Sequence, residues 1–260
     1  MPANSIDDVI SSLDALIEGA WEEHNRIGYF AALYRRITHA VQDGIAQNKF
    51  ADGARMERLD VTFAQRYLDA VTAYRTGAKP SHCWKIAFEA INDDSRLILQ
   101  HLLAGINAHI NLDLGIAAAE VSPGDQLPSL KADFDTINAV LASQVSAVED
   151  EMSALSPLVK NLSLIGLKTE TTIINFNIDL ARKAAWFAAE RLAGEPTVLH
   201  DVTIEGLDLA VAIGARAILY PPGHFAALAE IREVEVQDVR SVIETLARSQ
   251  ISNPSERVAP

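Results

Sequence analysis

Cysteine is almost absent from this sequence, and there is no excess of positive charge. Cys83 is the only cysteine, so an internal disulfide and a thiolate metal cage are excluded and a reducing cytoplasm is the expected location. The 22 Lys and Arg residues are outnumbered by 35 Asp and Glu, which gives a formal net charge of -13. Because phosphate backbones are held by clustered cations, we expect no nucleic-acid partner.

Several local signals are missing as well. Short alternating runs bounded by turn residues, which strands need, are not found, and apolar residues recur instead at helical spacing. Glycine-rich phosphate loops and serine-elbow motifs are absent. The N-terminal residues lack the basic start and continuous apolar run of a signal peptide. These absences favour an all-α protein without an export signal.

What is present is enough apolar sequence for one sizeable core. With 260 residues and 49% hydrophobic content, we expect one all-helical domain over residues 1–250, followed by a loose tail at 251–260. Its architecture should be a multi-helix bundle around a central buried helix at about residues 94–119. The expected helices cover about residues 5–23, 26–47, 53–74, 83–91, 94–119, 130–155, 171–193, 204–219, 222–231 and 236–248.

The central helix is the most unusual segment. Residues 99–119 read LQHLLAGINAHINLDLGIAAA and contain one formal charge, Asp113, together with several uncharged polar side chains. A membrane span is not expected, because these polar groups would be costly in lipid. Leucine and isoleucine form one stripe, and alanine and glycine occupy much of the opposite face. A helix without a water-facing side should lie at the centre of the bundle.

Polar side chains on such a helix need partners, and this requirement defines the candidate site. His109 and Asp113 are one helical turn apart, so their side chains can meet or converge on a common ligand. Asn107 and Asn111 repeat that spacing on the other flank. Arg182, from the predicted helix at 171–193, is a natural counter-ion for Asp113 or for its own neighbour Asp179, since a guanidinium binds a carboxylate with two hydrogen bonds.

These residues admit three interpretations. His109 and Asp113 could bind a divalent metal such as zinc, although enzymes of that kind need several more histidines. Alternatively, His109 acts as a general base oriented by Asp113, Asn107 and Asn111 orient the substrate, and Arg182 balances charge. The third interpretation is a buried hydrogen-bond network that only fixes helix register.

The motif N-A-H-I-N-x-D-L at residues 107–114 also carries a resemblance. With FAALYRRIT, FADGARMERLDVTFAQRYLDA, WKIAF, ADFDTIN and ARKAAWFAAERL, it resembles a bacterial, all-helical family of unknown function over about residues 25–220. The resemblance implies the helical fold. It implies no activity, since none is established for the family.

Taken together, the residues predict an intracellular enzyme of hydrolase or lyase type that acts on a small, largely apolar molecule. An alternative is a non-catalytic helical module that binds an apolar ligand, and another is a purely structural protein. Aromatic side chains are more often core residues, but if several of them line a cavity beside the central helix, an apolar small molecule would fit its wall. The candidates for that wall are Phe30, Tyr34, Phe63, Tyr67, Trp84, Phe88, Trp186 and Phe187.

Overall fold

Helices make up almost all of the regular structure. A computed structural model describes residues 2–158 and 177–248, and within these ranges the chain forms eleven α-helices and no strand, so the all-α prediction is confirmed. The helices are α1 (Ile6–Glu22), α2 (Ile27–Ala46), α3 (Gly53–Arg75), α4 (His82–Glu89), α5 (Ile98–Ala108), α6 (Leu114–Val121), α7 (Leu127–Leu155), α8 (Ile178–Gly194), α9 (His200–Leu219), α10 (Phe225–Val234) and α11 (Val239–Ala247). The predicted tail at 251–260 and the predicted helix start at 171 lie outside the described residues.

Side-chain caps explain several of the helix starts. In four helices, a polar side chain at the N-cap accepts a hydrogen bond from the backbone N–H three residues further on, which satisfies one of the free donors of the first turn. These caps are Ser5, Asp52, Asn177 and Asp238. The starts after Ser5 and Asp52 agree with the prediction, whereas the caps Asn177 and Asp238 place the starts of α8 and α11 later than the predicted 171 and 236.

The central helix is composed of α5, one π-helical turn at His109–Asp113, and α6. It begins at Ile98 rather than at 94, because the Asp93 carboxylate accepts the backbone N–H of Ser95 at 3.0 Å and holds the preceding residues in a turn. Gln100 Oε1 then accepts the N–H of Leu97 at 2.9 Å and closes the first turn. The helix ends at Val121 rather than at 119.

The predicted burial of this helix is confirmed. Its two parts contact α2, α3, α4, α8 and α9, so neighbours surround it. Within the described residues, Ile98–Val121 is the one helix whose length and composition would allow it to cross a membrane, and 83% of its apolar stretch is buried inside the fold. Burial of this kind is what the core helix of a bundle shows.

Glycine sets the distance between the central helix and α8. A Cβ on Gly115 would lie 2.6 Å from the carbonyl oxygen of Ala185 and 2.9 Å from the Cβ of Ala188. Both distances are shorter than van der Waals contact, and one involves backbone, which cannot rotate away. The two helix backbones can approach this closely only because position 115 carries no side chain.

We expect Gly115→Ala to lower the free energy of unfolding by about 2 kcal/mol, because the added methyl group overpacks the contact with α8. Gly206→Ala is the matched control: Gly206 lies within α9, and a Cβ there meets nothing within 4 Å. That change should stabilise the protein by about 0.5–1 kcal/mol through helix propensity. Urea denaturation measures both values. Equal effects of the two substitutions would contradict the close contact at Gly115.

Candidate functional site

The centre of the candidate site is the π-helical turn. At this turn the N–H of Leu114 donates to the carbonyl of His109, five residues back instead of four. The turn begins at His109 and ends at Asp113, so both predicted catalytic residues lie in it. Such turns shift the side chains that follow by about one residue around the helix axis, and they are frequent at functional sites.

His109 and Asp113 meet, as their spacing predicts. His109 Nδ1 lies 3.4 Å from Asp113 Oδ2, and both side chains are buried. Two further donors hold the carboxylate: Trp84 Nε1 at 2.8 Å from Oδ2 and Arg66 Nε at 3.2 Å from Oδ1. Since the Asp113 oxygens accept from these groups, we assign the imidazole proton to Nδ1 and the lone pair to Nε2.

The imidazole of His109 is enclosed by aromatic rings. Phe63 stacks on it with ring centroids 3.5 Å apart and an interplanar angle of 8°, and Tyr34 approaches edge-on at 4.4 Å. Burial lowers the pKa of His109 below its ordinary value, and the hydrogen bond and charge of Asp113 oppose that shift without cancelling it. The neutral imidazole therefore predominates at neutral pH. Its Nε2 has no hydrogen-bond partner among the described residues.

A cavity of about 260 Å³ lies beside this ring. Its polar groups include His109, Asp60 and Arg182, and most of its wall is apolar. The apolar wall includes Phe30, Leu33, Ile37, Val41, Met56, Leu59, Phe63, Ile106, Ile110, Leu114, Ile137, Val148 and Ile178. An apolar wall with a few polar groups is typical of small-molecule sites. Of the aromatic residues expected at such a wall, Phe30, Tyr34 and Phe63 line it, whereas Phe187 is 69% exposed.

Asp60 is a polar residue of the cavity that the sequence analysis missed. It lies on α3, and its carboxyl group makes no hydrogen bond or ion pair with any described residue. Burial, with a smaller contribution from Glu57, raises the pKa of Asp60 from 3.8 to about 7. The signal was present in the sequence, because Asp60 interrupts the apolar face of α3 that contains Leu59, Phe63 and Tyr67.

The two asparagines lie away from the cavity. Asn107 Nδ2 donates to the carbonyl of Val211 at 3.0 Å, and Asn111 Nδ2 donates to Asn107 Oδ1 at 3.1 Å. The pair thus joins the central helix to α9, and neither residue lines the cavity of His109. A substrate-orienting role for Asn107 and Asn111 stays a prediction, and in the structure their amides take part in packing the central helix against α9.

Arg182 lines the cavity, but it does not pair with Asp113. Its Nε donates to Asn138 Oδ1 at 2.6 Å and its Nη2 donates to the carbonyl of Phe134 at 2.5 Å. The counter-ion of Asp113 is Arg66 of α3 instead. The pairing expected from sequence is therefore corrected: α3 presents its arginine to the π-helical turn, whereas Arg182 of α8 faces α7.

The same geometry bears on the metal interpretation. A metal on His109 and Asp113 would have two protein ligands, and the described residues contain no group of three or more His, Cys, Asp or Glu side chains able to hold an ion. The guanidinium of Arg66 at Asp113 Oδ1 would also repel a cation. The donor set does not fit zinc, which takes at least three protein ligands.

One comparison with known proteins yields a match. A family described as a family of unknown function, DUF5995, matches residues 6–221, a range that includes every residue of the site. No curated protein and no solved structure matches the chain. The sequence also resembles a family of unknown function, and the match agrees with the resemblance on this point.

Proposed function

The chain belongs to the DUF5995 family, whose function is unknown, and we propose that it is an enzyme of hydrolase or lyase type acting on a small, largely apolar molecule. The observation that carries the proposal is His109: a neutral imidazole in the wall of an apolar cavity, with Nδ1 held by Asp113 and Nε2 without a partner. A buried group that lacks its hydrogen bond in the folded protein is suited to receive one from a ligand.

In this proposal His109 accepts a proton at Nε2. The proton comes from a C–H bond in an elimination or from water in a hydrolysis, and the resulting imidazolium is stabilised by the Asp113 carboxylate at 3.4 Å. Trp84 and Arg66 act through Asp113, since their hydrogen bonds fix its position. They are positioning residues.

Asp60 supplies the complementary acid. Because its pKa is about 7, a large fraction of the carboxyl group holds its proton at neutral pH, and it lines the same cavity as His109. A base and an acid whose pKa values are shifted in opposite directions by their surroundings are the arrangement that acid–base enzymes use. The protonated Asp60 would donate to the leaving group.

One observation favours the alternative of a non-catalytic binding module. Phe63 stacks on the imidazole with centroids 3.5 Å apart, so one face of the ring is closed to a ligand. In a binder the cavity would hold an apolar molecule and His109 would remain a buried member of the aromatic cluster. An enzyme would convert a substrate to product, whereas a binding module would only hold its ligand, so a turnover assay distinguishes the two functions.

A base in an apolar cavity can be tested with nitrobenzisoxazole, whose ring C–H is removed by a base while the N–O bond breaks to give a coloured phenolate. We expect the protein to accelerate this elimination, and His109→Gln to lower the rate about a hundredfold. His39→Gln is the control, because His39 does not line the cavity. Circular dichroism checks that both variants are folded.

The two outcomes are distinct. A rate that falls only in His109→Gln supports proton transfer by Nε2. A rate that is the same in the parent protein and in a folded His109→Gln contradicts the proposal and favours the binding module.

A further inference from the structure

Among the described residues, the buried cation Arg182 has no anionic partner. Arg182 is 5% exposed, and the two hydrogen bonds that it donates within this part of the chain go to neutral oxygens, those of Asn138 and Phe134. The guanidinium also lies over the Phe134 ring, with 4.4 Å between its carbon and the ring centroid. None of these contacts neutralises the charge.

A second buried arginine shows what is missing. Arg36 is 3% exposed and forms an ion pair with Glu151. Arg182 has no such pair among the described residues, and Asp135 and Asp179 act on it only from outside ion-pair distance. Since an unpaired charge is costly to bury, an anion from outside the described residues should complete the site.

The position of Arg182 indicates which anion fits. Arg182 lines the same cavity as His109, and the wall is mostly aliphatic and aromatic but also includes Asp60 and Glu149. The body of an anionic ligand would therefore lie mainly against apolar side chains. Burial lowers the pKa of Arg182 to about 10, which still leaves it charged at neutral pH.

We propose that the ligand of this cavity is an amphiphilic carboxylic acid, whose carboxylate binds Arg182 and whose apolar body lies along the cavity towards His109. A carboxylate matches the planar guanidinium and can accept two hydrogen bonds from it. The inference rests on the proposed function only for the reacting end of the molecule. The carboxylate end rests on Arg182 alone.

Three probes of equal length test the head group: octanoate, octanol and octylamine, each titrated calorimetrically into the whole protein. We expect octanoate to bind at least tenfold more tightly than octanol, and octylamine to bind most weakly. Arg182→Gln should remove the preference for octanoate. Arg191→Gln on the same helix is the matched control, since the Arg191 side chain is 68% exposed, and it should leave all three affinities unchanged.

Arg182→Lys keeps the proposal testable if Arg182→Gln fails to fold: the retained charge should preserve part of the preference for octanoate over octanol. Equal affinities for octanoate and octanol, or no binding of either, would overturn the inference. His109→Gln should still bind octanoate. The protein could therefore prefer octanoate while His109→Gln leaves the elimination rate unchanged. That result would support carboxylate binding by Arg182 and contradict the proposed proton transfer by His109.

Discussion

Replacing Asp113 by alanine is expected to lower the free energy of unfolding by about 3 kcal/mol. The carboxylate is buried and is the hydrogen-bond partner of the Trp84 indole at 2.8 Å, of Arg66 at 3.2 Å and of His109 at 3.4 Å. Removing it leaves these donors without their acceptor in the interior. Because Arg66 is 28% exposed and can turn towards water, most of the loss should come from Trp84 and His109.

The control for this prediction is Glu120→Ala. Glu120 also pairs with Arg66, at 3.5 Å, but its side chain is 52% exposed, so the substitution should change stability by less than about 0.5 kcal/mol. Chemical denaturation of the parent and both variants gives the comparison. If Asp113→Ala were as stable as Glu120→Ala, Asp113 would not organise the site in the way described.

Replacing Asp60 by asparagine is expected to change the pH dependence of stability. The folded carboxyl has a pKa of about 7, whereas a value near 3.8 applies to the unfolded chain. Below pH 3.8 the group is protonated in both states. As the pH rises towards 7 the unfolded chain loses the proton more readily, so the parent protein loses stability, up to about 4 kcal/mol in total.

Asparagine removes that loss because it does not ionise. The stability of Asp60→Asn relative to the parent should therefore increase between about pH 4 and pH 7 and become constant above it. Burial also lowers the pKa values of His101 and His109 in the parent protein. Because both proteins contain these histidines, the difference in stability between variant and parent should cancel their contributions.

Melting temperatures measured across this pH range provide the test, and Asp69→Asn is the control. Asp69 is on the same helix as Asp60 but is exposed, so its substitution reports any effect of an Asp-to-Asn change that does not depend on burial. If the stability of Asp60→Asn relative to the parent did not change with pH, the Asp60 carboxyl would be solvated. Asp60 would then not be the acid of the proposed acid–base pair.

Much of the fold could be predicted from sequence because the information is local. Apolar residues at helical spacing identified the helices, and caps such as Ser5 and Asp52 marked their starts. The scarcity of charge in the central helix predicted its burial. The contact between His109 and Asp113 was predictable too, since side chains one turn apart on a helix are neighbours whatever surrounds them.

The remainder of the site depends on which helices lie beside the central one. Arg66 rather than Arg182 pairs with Asp113, and Asn107 bonds to α9 rather than facing the cavity. Nothing local in the sequence distinguishes the two arginines, because each lies on a helix that could have packed against the π-helical turn. The role of Asp60 likewise follows only from the wall that α2, α3 and the central helix form together.

The sequence by itself determined the helices, the buried central helix and the pairing of His109 with Asp113, since all of these depend on residues at most a few turns apart. Tertiary structure alone decided the π-helical turn, the cavity and the partners of each charged group. Helix periodicity fixes the face of the helix on which a side chain lies. The hydrogen bonds, ion pairs and pKa of that side chain depend on groups that distant segments of the chain bring next to it.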